Sequence, residues 1–221
     1  ATERLRQSVW TECWTRCGCW MAPSAAAKPG KSYGSDLPVH TIHFPMTKEE
    51  LYELFASRFE REVNFYWAEV ILRENLVPAA LDIALLPDSP QAFRAAYALE
   101  TAFFRHPETF APFYGRFVSD FSKAVHPSVH RHYGKIVAWL LKRKKVRLSV
   151  PETERLAETA CLRLVDETSK VAVRVWALEI LDLLAPQVEW VADELPAIAE
   201  RLSLDPSPAL LCRLKKRRKS Q

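Results

Sequence analysis

Residues Tyr97-Ala98-Leu99-Glu100 come back in kind as Trp176-Ala177-Leu178-Glu179, an offset of 79 positions. At the same offset Ser89 falls on Thr168 and Pro107 on Pro186, so a helix start, a core tetrad and a terminating proline coincide. Tyr133-Gly134 lies between them, 36 positions after Tyr97-Ala98 and 43 before Trp176-Ala177. The long period is therefore two units of about forty residues, a length that suits paired helices. A helix pair of that size cannot bury both of its apolar faces alone, so copies must stack and share a core.

The remaining pattern is helical. Ala, Leu, Glu and Arg recur at helical spacing from Met46 onward, and the chain of 221 residues has only 5 glycines and almost no Val/Ile/Thr alternation. Pro90, Pro107, Pro127, Pro151, Pro186 and Pro206 stand where apolar-periodic segments begin, at positions where a missing amide costs nothing. Thr47 and Glu50 form a capping box that opens the first helix. These signals place helices near 47–61, 63–76, 78–86, 90–105, 108–124, 127–143, 151–167, 169–185, 187–202 and 206–218. A composition of 48% apolar and 26% charged residues is enough for one core without covalent staples.

Each unit carries an arginine a few positions into a helix, then an aromatic residue followed by a small one. These are Arg94 with Tyr97/Ala98, Arg131 with Tyr133/Gly134, and Arg174 with Trp176/Ala177. The pattern resembles the second helix of a HEAT repeat, most closely in Val173-Arg174-Val175-Trp176-Ala177-Leu178 and in Phe93-Arg94 with Ala98, over roughly residues 89–219. The middle unit departs from it, with His130 before Arg131 and Gly134 as the small residue. The resemblance implies an all-α chain, a HEAT-like α-α superhelix built as a short right-handed solenoid of about four helix pairs, in one domain over 46–221. We expect Arg94, Arg131 and Arg174 to tie adjacent units together through carbonyls or carboxylates, with a ladder of arginines facing a partner as the alternative. Tyr97, Tyr133 and Trp176 are expected to pack between units, with ligand stacking as the alternative.

Residues 1–45 have a different texture, with three tryptophans and three cysteines between Trp10 and Trp20 and then an Ala/Pro/Gly/Ser stretch from Ala22 to Ser35. They read as a poorly structured extension, and Met46, just ahead of the capping box, as the biological start. Cys13, Cys17 and Cys19 form C-x3-C-x-C with only His40 and His43 nearby, which matches no usual zinc spacing, so no metal is expected. Cys161 and Cys212 stand singly, and five cysteines without even spacing make no disulfide framework, so reduced thiols are expected. The apolar runs Ile83–Leu86 and Ile136–Leu141 fall far short of the roughly 20 residues a membrane span needs. No continuous apolar run precedes a cleavage site, so cytoplasmic residence is the default expectation, with no membrane partner.

The net charge of +4 is unevenly spread. No Asp or Glu occurs between Ser122 and Pro151, where Lys123, Arg131, Lys135, Lys142, Arg143, Lys144, Lys145 and Arg147 accumulate. Arg213, Lys215, Lys216, Arg217, Arg218 and Lys219 form a second cluster. Such clusters bind phosphate backbone by releasing counterions; lysines at a helix end also simply favour its dipole, and a charged tail keeps a chain soluble. The candidate binding patch is Lys135, Lys142, Arg143, Lys144, Lys145 and Arg147.

Signatures of catalysis are missing from the sequence. There is no H-E-x-x-H, Gly-rich phosphate loop or G-x-S-x-G. His126 and His130 are four apart, but Pro127 puts His126 ahead of the helix. The carboxylate pairs Asp166/Glu167 and Asp193/Glu194 are adjacent and so diverge on a helix. The expected function is a non-enzymatic interaction or scaffold module with no cofactor, its partner another protein. The alternative is a nucleic-acid-binding protein similar to the HEAT-like DNA glycosylases that act on alkylated bases. Their catalytic carboxylate with flanking aromatics has no match here, and neither Glu100 nor Glu179 is assigned to that task.

Overall fold

The computed structural model describes residues 46–57, 62–87 and 89–218. They fall in one compact unit, Pro45–Gln221. The chain is all-α: the described residues form ten α-helices and one 3-10 segment, and no strand occurs among them. The helices are α1 (Lys48–Ala56), α2 (Val63–Arg73), α3 (Val77–Ala84), α4 (Pro90–Arg105), α5 (Tyr114–Lys123), α6 (Pro127–Lys142), α7 (Val150–Val165), α8 (Val171–Leu184), α9 (Glu189–Leu202) and α10 (Pro208–Arg218).

Helix boundaries have local causes. The Glu50 amide donates to Thr47 Oγ1 at 3.2 Å and the Thr47 amide to Glu50 Oε2 at 2.8 Å, the expected capping box. Ser149 and Glu152 repeat it at α7. Pro90 and Pro127 are the first residues of α4 and α6, behind Ser89 and His126, whose side chains accept the amides of Gln91 and Ser128. Two helices close on a left-handed residue, Asn75 (φ 55°) after α2 and Lys144 (φ 53°) after α6. In both, the next amide reaches back to the third-last helical carbonyl: Leu76 to Ile71 at 2.8 Å and Lys145 to Leu140 at 2.9 Å.

Several expected boundaries need correction. The helix foreseen over 108–124 is split: Pro107–Phe113 is a 3-10 segment containing Pro112, which has no amide to donate to an α-ladder, and α5 starts only at Tyr114. The helix foreseen from 169 starts at Val171. Asp166 accepts the Thr168 amide at 2.9 Å and the Thr168 and Ser169 hydroxyls, which holds a turn there, so Thr168 is no counterpart of the cap Ser89. Pro186 lies in the turn before α9. The first helix ends at Ala56, and residues 58–61 lie outside the described set.

The even-numbered helices touch in succession, α2 on α4, α4 on α6, α6 on α8 and α8 on α10; among the odd-numbered ones α1 contacts α3 and α5 contacts α7. Polar ties follow the same rule. On the even side Asn64 meets Thr101, Arg105 meets Glu69, Glu100 meets His132 and Lys135, and Arg217 meets Asp182. On the odd side Asp82 bridges Lys48 and Arg116, Thr159 meets Ser122, and Trp190 meets Glu154. These pairs are separated by 32 to 37 residues, about the length of one helix pair. Between the two sets lies a core whose largest fully buried members include Trp67, Tyr133, Phe55, Phe103, Phe110, Phe117 and Phe121. Phe103 alone packs on Phe110, Phe117 and Trp139 at centroid distances of 5.5, 5.7 and 5.1 Å. Each such burial contributes about 1.5–3 kcal/mol.

Candidate functional site

Helix α6 carries the features that could engage a partner. Its residues 131, 135, 139 and 142 recur at helical spacing and so share a stripe, which reads Arg131, Lys135, Trp139, Lys142. Arg131 and Lys142 are exposed and the two between them half-buried. From Arg131 to Lys142 the stripe runs about 16 Å at the helical rise. The helix then ends in Arg143, Lys144 and Lys145, all exposed, with Arg147 exposed in the loop beyond. The Arg143 guanidinium lies 4.5 Å from the centroid of the Trp139 ring and the Lys135 ammonium 4.4 Å from that of Phe104, so aromatic rings seat both cations.

The Glu100 carboxylate of the neighbouring helix α4 lies against this stripe, and it is fully engaged. It accepts from His132 Nδ1 at 2.6 Å and from Lys135 Nζ at 2.5 Å. Burial would push the Glu100 carboxyl up, but the His132 hydrogen bond and the Lys135 ammonium outweigh it and hold the group at about 2. His132 is wholly buried, and burial drives its imidazole toward the neutral form, helped by Arg131 and Lys135. A neutral ring that donates Nδ1–H to Glu100 leaves Nε2 to accept from Arg131 Nη2 at 3.4 Å. Phe93 and Tyr97 close over it, with centroids 5.7 and 5.3 Å from the imidazole.

Part of the second basic cluster comes within electrostatic reach of Lys142 at the end of α6. Lys142 and Lys216 each feel the charge of Arg213, and Lys216 also that of Lys142. Burial first, then these two cations, push the Lys216 ammonium down to about 7. The neighbouring carboxylates are engaged from α10: Arg213 pairs with Glu179, and Arg217 with Asp182.

The sequence-derived residues divide accordingly. Lys142, Arg143 and Lys144 lie on the stripe or at its end, whereas Lys135, also on the stripe, pairs with Glu100 at 2.5 Å and Lys145 with Glu108 at 3.1 Å. Of the three recurring arginines, Arg94 donates to the carbonyls of Phe55 and Ser57 at the end of α1, and Arg174 to that of Leu164 at the end of α7. Arg131 does neither. At its interface His130 Nε2 contacts the Ala124 carbonyl at 2.7 Å, and Arg163 of α7 donates to Phe121 O at 2.5 Å and Ala124 O at 3.3 Å. In the aromatic column Tyr133 packs edge-on to Phe117 and Trp176 against Gly134, while Tyr97 stacks on Phe93 beside His132.

Sequence reasoning missed the Glu100–His132 pair and the role of Arg163. A signal for the second was present: Arg163 falls on the apolar stripe of Leu156, Ala160 and Leu164, where a charge needs a buried partner. Cys161 is a free thiol, but Cys212 is disulfide-bonded, which corrects the expectation of reduced cysteines. Cys13, Cys17, Cys19, His40, His43 and the proposed start at Met46 with its upstream extension fall on or against residues outside the described set. Among the described residues no group of three or more His, Cys, Asp or Glu is placed to hold a metal ion, and no helix is long and apolar enough to cross a membrane. Comparison with protein-family models, curated proteins and solved structures gives no match to this chain.

Proposed function

We propose that this chain is a non-enzymatic helical-repeat interaction module, a short HEAT-like α-α superhelix whose even-numbered helices present a binding face to another macromolecule. The observation that carries the reading is the succession of contacts between helices two apart, joined by polar ties about one helix pair in length. That is how stacked helix pairs generate an extended surface. The engaged state of the carboxylates supports binding over catalysis: Glu100 is closed by His132 and Lys135, and Glu179 by Arg213.

The test is affinity capture from native lysate of the source cells with the wild-type chain and with Arg131→Glu/Arg143→Glu, the captured material being identified by mass spectrometry. One macromolecule retained by the wild type and lost by the variant is the expected result. Repeated failure to enrich anything, or equal retention by both, counts against the module.

A further inference from the structure

We infer that the outward stripe of α6, with the cations that follow its end, is a docking surface for the phosphate backbone of a nucleic acid. The inference rests on the interaction-module reading and names the partner of its face.

Charge and spacing carry it. Arg131 and Lys142 stand exposed about 16 Å apart on one helix face, and a duplex strand carries one phosphate per roughly 3.4 Å of its axis, so the two cations can meet separate phosphates. Arg143 and Lys144 extend the line past the helix end, and both are exposed. The acidic groups in this region are engaged by cations of the fold itself: Glu100 by Lys135, Glu179 by Arg213, Asp182 by Arg217. What the surface shows to an approaching ligand is therefore net positive.

Lys144 takes the left-handed position that closes α6, where glycine is the usual residue. A bilayer is a poorer fit than a nucleic acid, because none of the large exposed apolar side chains lies on α6. Aromatic seats under Arg143 and Lys135 hold the cations in place ahead of contact.

Fluorescence anisotropy with the full chain tests this, using a labelled 20-base-pair DNA duplex, an RNA duplex of the same sequence and vesicles of anionic phospholipid. Binding to one or both duplexes should weaken on the order of a hundredfold between about 50 and 200 mM salt if about four phosphates are contacted. Arg131→Gln/Lys142→Gln should reduce the slope of log K against log salt by about two. Lys123→Gln/Arg155→Gln on the odd-numbered helices should leave it unchanged, with thermal melts confirming that both variants fold. No duplex binding at about 50 mM salt, an unchanged slope in the α6 variant, or binding to vesicles alone would overturn the inference. If the duplexes fail while capture still enriches a partner that resists nuclease, the phosphate partner falls and the interaction module stands.

Discussion

Gly134 on α6 lies so close to Trp176 on α8 that a Cβ added to the glycine would sit 3.0 Å from the tryptophan Cβ, with Phe121 Cε2 at 3.5 Å. The nearer atom is anchored to the α8 backbone and cannot swing away, so the helices themselves would have to separate. Gly134→Ala should therefore destabilise the fold by about 1–3 kcal/mol despite its better helix propensity. Urea unfolding measures this, and a neutral or stabilising result would mean that α6 and α8 are not in van der Waals contact here.

Lys144 sets stability against binding. Lys144→Gly relieves the left-handed strain and should stabilise the fold by about 1 kcal/mol. The same change removes a cation from the end of the α6 stripe, so duplex affinity should fall while the melting temperature rises. Parallel loss of both would show that the lysine serves folding instead.

The Tyr133 hydroxyl is buried in the core and has no hydrogen-bond partner among the described residues. Removing it eliminates a desolvated polar group and keeps the ring against Phe117, so Tyr133→Phe should be neutral or stabilise by about 1 kcal/mol. A loss of stability in chemical denaturation would mean that the hydroxyl has a partner in solution.

Acid should weaken the fold from an unusually high pH. Burial, with Arg163 and His126 nearby, pushes His130 down to about 4, and burial also lowers His132. Both rings are favoured neutral in the fold, so their contribution is complete above the ordinary imidazole value of 6.5 and is lost as pH falls below it. Glu100, held at about 2, adds a second loss below its ordinary 4.5. The urea midpoint should therefore drop between pH 7 and pH 5, and His130→Gln should flatten that drop. A midpoint unchanged over this range in the wild type would contradict the neutral state of both histidines.

Local chemistry made much of the fold legible in the sequence. The Thr47–Glu50 capping box, the prolines opening α4 and α6 and the small residue at Gly134 are decided within a few positions of chain, and each stands as read. The 3-10 segment at Pro107–Phe113 was hidden because its apolar spacing also suits an α-helix. The site was less legible. Arg94 and Arg174 cap the end of a preceding helix, but at the middle interface His130 and Arg163 take that task and leave Arg131 on the surface. That exchange depends on which side chains meet across α5, α6 and α7, a tertiary fact that spacing along one helix does not carry. The pairing of Glu100 with His132 and Lys135 is of the same kind, invisible until α4 and α6 are side by side.

The central claim, that the face of the even-numbered helices engages the partner, is tested most directly by photocrosslinking. A benzoylphenylalanine placed at Arg131 on α6, and in a separate chain at exposed Glu158 on α7, would report what each face touches in native lysate. A crosslinked species is expected from position 131 and absent from position 158. Crosslinks from 158 alone, or the same species from both, would contradict it.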